Sequence, residues 1–364
     1  MRHVSLIPIF FAAATLQLAA QDPAPQDTAP PAPSHDFRYS LAVIDDATFY
    51  TNLSVPIPQT LNQLLIEPKA TLHYRSRWTL SSSLVAVTTT YADTNTRVLV
   101  KENYAGLSAG DFDFTAGRRM VRWGVGYAFT AAGVLDPPRI PTNPTDRLNL
   151  NQGRDMLKAD FVHGQHAFSL AWSTAALAPA SANLHDTTAF RYNVLLHGFD
   201  TALIAGDDHS GDPFGALTFT RVLGQAWEVH GEAAWREQGV ALMGAKYTTA
   251  SGVTFIAEFF TPPNIPYYRD MTISPTAGRQ HYLFFDAGKN RLRELPGWKE
   301  WDLGAYVVAN LDDRSYTVLF DANRRFGNRF SAYTHLEIPH GAKTSDYGAA
   351  PYSTATSIGV RFQL

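Results

Sequence analysis

From Trp227 onward the chain alternates without a break: Trp227, Val229, Gly231, Ala233 and Trp235 share one parity, and Glu228, His230, Glu232, Ala234 and Arg236 share the other. Successive side chains of a strand point to opposite faces, so such a segment has an apolar face and a charged one. The same division recurs at Ile66, Ala70, Leu72 and Tyr74 against Glu67, Lys69, Thr71, His73 and Arg75, and at Phe190, Tyr192, Val194 and Leu196 against Arg191, Asn193 and His197. It returns at Phe168, Leu170 and Trp172 against Ser169, Ala171 and Ser173, and at Phe330, Ala332, Leu336 and Ile338 against Ser331, Tyr333, His335 and Glu337. A chain patterned this way must close its sheet or cover it.

Soluble sandwiches alternate too. Two features favour a membrane barrel. Aromatic residues collect near the ends of the apolar faces (Tyr74, Trp78, Trp172, Trp227, Trp235), where interfacial girdles lie. Connection lengths also alternate. Short turns are expected at 108–110, 163–165, 198–200, 223–225, 250–252 and 327–329, and longer loops at 50–63, 124–151, 176–187, 206–213, 261–278 and 339–352. The expected fold is all-β, a single transmembrane antiparallel barrel of about 18 strands (14 to 18), with short periplasmic turns and longer outer loops. The stretch from Lys289 to Trp298, long and containing Pro296, fits this parity least well.

Met1 to His3 form a short basic start, followed by an apolar stretch to Leu18 and small residues at Ala19 and Ala20. Residues 1–20 therefore read as a cleaved signal peptide. Residues 21–35, rich in Pro and Ala, read as an extended periplasmic linker, and 36–364 as the barrel. The chain has no cysteine, so neither disulfides nor a lipid-acceptor thiol enter the argument. A formal charge of -3 without a basic stretch argues against nucleic acid as a partner. No window after the leader holds ~18 consecutive apolar residues, the length a spanning helix needs.

The chain ends on Ile358, Val360, Phe362 and Leu364, one apolar face of a strand. Barrels of the bacterial outer membrane resemble this ending, which their assembly machinery recognises, with Leu364 here in place of the usual Phe. Outer-membrane lipids and that machinery are thus expected partners. A homo-oligomer stays open.

Gly117-Arg118-Arg119-Met120-Val121-Arg122-Trp123-Gly124 precedes a long loop containing Asn143-Pro144-Thr145-Asp146. This segment resembles porin-like outer-membrane families, alginate-export-type channels among them, in which a Gly-Arg-x-x-x-x-Trp-Gly strand end precedes an Asn-Pro-x-Asp loop. The resemblance covers residues 117–146. It departs at Arg119, where Gln is common, and in the extra Pro-rich piece from Asp136 to Pro141.

An arginine on the lipid face costs roughly 2–4 kcal/mol at the midplane, so Arg118, Arg119 and Arg122 cannot all face lipid there. Strict alternation from Phe112 and Phe114 sends Arg118 and Arg122 outward. A bulge at Gly117 that resets the phase is therefore expected, turning both into the lumen to meet Asp136 and Asp146. There they either tie the long loop to the wall or bind a solute.

The interior would carry Glu67, Lys69, His73, Arg75, Lys158, Asp160, Arg191, Glu228, His230, Glu232, Arg236, Glu337 and Arg361, polar and mixed in sign. At about 18 strands such an interior can hold a water channel. The leading function is a channel for small hydrophilic solutes, with Arg118, Arg122, Asp136, Asp146, Lys158, Asp160, Arg191, Glu228, His230, Glu232, Arg236 and Glu337 as pore-lining candidates. The alternative is export of an anionic polysaccharide, which needs a continuous basic track that Glu228, Glu232, Asp160 and Glu337 interrupt. A hydrolase comes last, because no nucleophile, base and orienting group converge in the sequence. No cofactor is implied. The loop Asp207-Asp208-His209-Ser210-Gly211-Asp212 lacks EF-hand spacing and reads as a solvated turn.

Overall fold

In the computed structural model, the described residues are 35–137, 139–143, 147–148, 150–176, 186–208, 213–235, 239–261, 281–292 and 297–364. The expected signal peptide and nearly all of the linker, together with Asp146, Arg236 and residues 209–212, lie outside them. The alternating segments form eighteen strands: β1 (His35–Thr51), β2 (Thr60–Tyr74), β3 (Trp78–Thr90), β4 (Thr94–Ala109), β5 (Phe112–Arg119), β6 (Arg154–His163), β7 (His166–Thr174), β8 (Thr187–Leu196) and β9 (Phe199–Asp207). They continue as β10 (Pro213–Leu223), β11 (Trp227–Trp235), β12 (Gly239–Thr248), β13 (Val253–Thr261), β14 (Tyr282–Lys289), β15 (Trp301–Asn310), β16 (Ser315–Phe326), β17 (Phe330–His340) and β18 (Thr354–Gln363). Each pairs antiparallel with its sequence neighbours. β18 pairs back to β1, Ala42 opposite Gln363, so the sheet closes and leaves no edge.

Closure gives each strand of the wall a hydrogen-bonded neighbour on both sides, which is what lets a sheet cross a bilayer. Among the described residues no helix is long and apolar enough to do so. The outward rows are exposed and apolar, as at Leu170, Leu203, Met243, Phe285, Phe320 and Ile358, and a belt of this kind is stable only against lipid. Positive-φ residues mark the tight turns at Gly110, Gly164, Gly198, Gly224, Gly252 and Gly327. The segment from Lys289 to Trp301 does form a periplasmic connection, because β14 and β15 are adjacent strands. The outer connections are less uniform than expected, since β3 and β4 are joined by residues 91–93 alone and β15 and β16 by 311–314. A further tight turn at Arg75 and Ser76, both with positive φ, joins β2 to β3.

The interior is not uniformly wet. Inward apolar side chains of β12 to β16, including Leu242, Phe260, Tyr282 and Val308, form one buried cluster, and Met156, Ala171, Ala189, Ile204 and Phe214 of β6 to β10 form another. Both are completed by residues of the loop that follows β5.

Candidate functional site

β5 stops after 8 residues, whereas its neighbour β4 runs for 16. Beyond Arg119 the chain turns into the barrel. Trp123, Ala132 and Leu135 pack on the β6–β10 cluster, while Ala128, Phe129 and Ala131 pack on the β12–β16 cluster. Phe129 is fully buried and stacks on Phe260 at 4.9 Å between ring centroids.

A loop without secondary structure, buried like this, has amides that neither water nor a strand can satisfy. The wall supplies acceptors. Every backbone N–H from Trp123 through Phe129 donates to a side-chain carboxylate. Trp123 (2.6 Å) and Gly124 (3.3 Å) donate to Asp136, Val125 (2.5 Å) and Gly126 (2.8 Å) to Oε1 of Glu232, and Tyr127, Ala128 (2.8 Å) and Phe129 (3.3 Å) to Glu258. Oε2 of Glu232 also accepts from Ala131 N (2.5 Å), Ala132 N (2.6 Å) and the Thr130 hydroxyl (3.0 Å). An ionised carboxylate has about four lone-pair sites, and bonds to a charged acceptor are roughly twice as strong as neutral ones. Gly126 lets the backbone come this close: a Cβ there would lie 2.3 Å from the Phe129 carbonyl oxygen and 2.7 Å from Leu242.

His230, buried beside these anchors, is 2.9 Å from Glu258 through Nε2 and meets the Tyr127 ring edge-on at 5.3 Å. The Tyr127 hydroxyl donates to Glu228 at 2.9 Å and accepts from Lys246 at 3.1 Å. Burial, and then the bond to Glu228, push the Tyr127 hydroxyl up and keep it neutral. Asp136 is also pushed up by burial, against the lowering pull of Arg139, 3.3 Å away, and of the Trp123 amide.

The loop's far end is held on the opposite wall. Arg147 reaches Asp46 of β1 at 3.3 Å beneath the Tyr333 ring, whose hydroxyl donates to the same carboxylate at 2.8 Å. Arg361 donates to the Arg147 carbonyl at 2.6 Å. Leu148 packs with Ile44, Leu65, Val85 and Val87. The loop thus crosses the lumen from β11 and β13 to β1, β17 and β18.

The inner wall of β5 to β8 holds Lys158, ion-paired to Asp160, which also accepts from Ser169 at 2.5 Å, and the half-buried Arg191. Arg119 and Arg154 share this wall: Arg119 donates to Thr115 at 2.8 Å and lies over Tyr104 at 4.8 Å, and Arg154 reaches Thr187 at 3.4 Å. Neither was among the pore-lining candidates read from the sequence, although unbroken alternation places both inward. Glu258 and Arg147 were missed as well, and the alternation of Phe255, Ala257 and Phe259 against Ile256, Glu258 and Phe260 carried the signal for the first.

The expected phase reset at Gly117 does not occur. β5 keeps continuous register with β4 and β6, Arg118 opposite Asn103 and Asp155. Arg118 stays on the outward phase of Phe112, Phe114 and Ala116, and forms a two-point ion pair with Asp155, not with Asp136. Gly117, at φ 120°, allows a close strand approach instead, since a Cβ would lie 2.3 Å from the Asn103 carbonyl oxygen. The bulge sits between β3 and β4, where the register shifts at Ser83/Leu84. There it leaves Lys101 as the extra residue, paired to Glu67 at 2.9 Å. Arg122 lies beyond the strand and is exposed between buried Val121 and Trp123, so it points away from the wall they pack on. Glu337 is inward and half-buried near Tyr352, whose hydroxyl is pushed up by burial and then by Glu337. Among the described residues no group of three His, Cys, Asp or Glu is placed to hold a metal ion.

The same barrel is found in solved outer-membrane proteins. OpdK from Pseudomonas aeruginosa superposes with a TM-score of 0.62 at 9% identity, covering 90% of this chain and 98% of that one. OccK11 (OpdR) from the same organism gives 0.59 at 10%, covering 90% and 96%, and a triple mutant of the Rhodopseudomonas blastica porin gives 0.51 at 13%, covering 90% and 100%. No protein-family model matches the chain, and no curated protein matches its sequence. At these identities the likeness shows a porin-like outer-membrane barrel fold; the alginate-export type is not among these neighbours.

Proposed function

We propose that the chain is an outer-membrane channel for small hydrophilic solutes, narrowed by the loop between β5 and β6. The observation that carries this is the seating of that loop: two buried glutamates of the wall hold consecutive backbone amides in the middle of the lumen. A loop riveted this firmly sets a fixed constriction. Beside it, Arg122 of the loop and the wall side chains Arg119, Arg154, Lys158, Asp160, Arg191 and Glu228 offer charges of both signs to a passing solute. The likeness of the barrel to solved porins supports the reading.

Planar-bilayer conductance of the refolded mature chain tests it. Steady open steps are expected, with ion preference shifted by Arg122→Ala and left in place by Arg118→Ala, which lies on the outer surface. A folded barrel that passes no ions refutes it, and a polyanion-specific block of large steps would turn the reading toward export.

A further inference from the structure

The bulge between β3 and β4 changes what faces the lumen above it. Below the register shift Tyr104 and Glu102 point inward, and past the extra residue Lys101 the inward positions of β4 become Leu99, Arg97 and Asn95. Unbroken alternation from Tyr104 would turn Arg97 and Asn95 to the lipid. Bulges re-aim side chains in this way and collect near sites. This one sets Asn95 level with Thr89 of β3 and Gln63 of β2, one inward position farther out than the buried Leu65 and Val87.

These side chains line a pocket of about 460 Å³ in the outer mouth of the barrel, within the roughly 300–1,000 Å³ of small-molecule sites. Tyr91 and Asp93 of the short turn between β3 and β4 form its outer rim, with Leu61 on the β2 side. The Tyr50 ring, 5.1 Å from that of Tyr352, stands one inward position beyond Leu61 on the neighbouring β1. Toward the periplasm the wall continues into Leu65 and Val87, on which Leu148 of the lumen loop packs, so the pocket lies just outside the loop's far seat. Gln63 donates to Thr89 at 3.4 Å. Asp93, Asn95 and Arg97 are exposed, and their side chains make no hydrogen bond or ion pair among the described residues. Their polar atoms remain for a ligand.

The donor and acceptor set selects its class. Gln63 and Asn95 each offer donors and an acceptor, Thr89 a hydroxyl, and Arg97 a fork of donors. Groups of this kind match a molecule with several adjacent hydroxyls, each of which both donates and accepts. Tyr91 and Leu61 supply apolar surface for the C–H face of a ring. One acid, Asp93, and one base, Arg97, leave the pocket without net charge, and each works against an ion of its own sign. We propose that this pocket binds an uncharged polyhydroxylated solute, a sugar of one or two rings. Its place as the first station on a solute's path rests on the channel reading; binding itself does not.

Binding is measured by ligand-observed NMR on the full chain extracted from outer membranes in mild detergent, with maltose, glucose, glucuronate and glucosamine as probes. Heat-modifiable migration certifies each variant as folded. Saturable binding of maltose or glucose is expected, with a dissociation constant on the order of 1 mM. It should weaken about tenfold or more in Asn95→Ala/Arg97→Ala and stay unchanged in Val98→Ala, an exposed position on the outward phase of the same strand. The two charged probes are expected to bind more weakly than glucose. A folded wild type that binds neither neutral sugar saturably overturns the proposal, as does binding that the double variant leaves intact. Glucuronate bound more tightly than glucose, and lost with Arg97→Ala, overturns the uncharged class and makes the pocket a carboxylate site. Single-channel recording of the same preparations separates the two readings: sugar binding by a silent barrel supports this site and refutes the channel, whereas open steps without sugar binding do the reverse.

Discussion

The two ends of the lumen loop are fixed to opposite walls by opposite means. At the Trp123–Phe129 end the wall gives carboxylates, Glu232 and Glu258, and the loop gives mainly backbone amides, joined by the Thr130 and Tyr127 hydroxyls and its own Asp136. At the Arg147 end the loop gives a cationic side chain and the wall gives Asp46. The first arrangement rests chiefly on loop backbone and two wall residues. The second rests on that pair, the Arg361 bond to the Arg147 carbonyl and the packing of Leu148. In the proposed channel the densely bonded near end would set the constriction and the more sparsely bonded far end would tune it.

Glu232→Ala breaks the comparison most strongly. It leaves the amides of Val125, Gly126, Ala131 and Ala132 and the Thr130 hydroxyl without their acceptor. At about 1–3 kcal/mol per orphaned buried donor, this exceeds what keeps a loop docked. Conductance is expected to rise several-fold and the loop to become cleavable by protease, with heat-modifiable folding of the barrel retained. Phe129→Ala comes next. The neutral truncation empties the space against Phe260 and costs about 3–5 kcal/mol, to be read as a lower melting temperature in detergent with a smaller rise in conductance.

Arg147→Ala should act at the other end only. The bridge to Asp46 is part-buried, and its loss is expected to cost about 1–3 kcal/mol, seen as noisier current with unchanged protease protection at Trp123. Acidity separates the ends further. Burial raises Asp136 above its ordinary value, so the docked loop binds this proton more tightly than the undocked loop. Docking of the near end therefore weakens as pH rises from the ordinary aspartate range through the raised value. Protease protection measured across that range should fall accordingly in wild type and stay flat in Asp136→Asn. The smallest effect belongs to Lys158→Gln on the neighbouring wall, with a change of about twofold in the cation-to-anion permeability ratio, toward cations, and no change in step size.

The strands were legible because alternation states burial residue by residue: the inward phase of Glu228, His230 and Glu232 follows from Trp227 and Val229 alone. The loop's route was not. Its amides are fixed by Glu232 and Glu258, more than a hundred residues away in sequence, and nothing local to Trp123 or Gly126 announces that partnership. The misplacement of Arg118 has a different source. A penalty for arginine in lipid was used to overrule the pattern, whereas Asp155 on the next strand offsets that penalty and leaves the phase intact. The same pattern, left alone, puts Arg119 in the lumen.

The most direct test of a channel narrowed by a carboxylate-seated loop is single-channel recording of wild type beside Glu232→Gln/Glu258→Gln. These substitutions keep the side-chain shape but replace two anionic acceptors with amides that also donate. The account predicts small steady steps in wild type and larger, fluctuating steps in the variant. Identical traces from two folded barrels, whether open or silent, would contradict it.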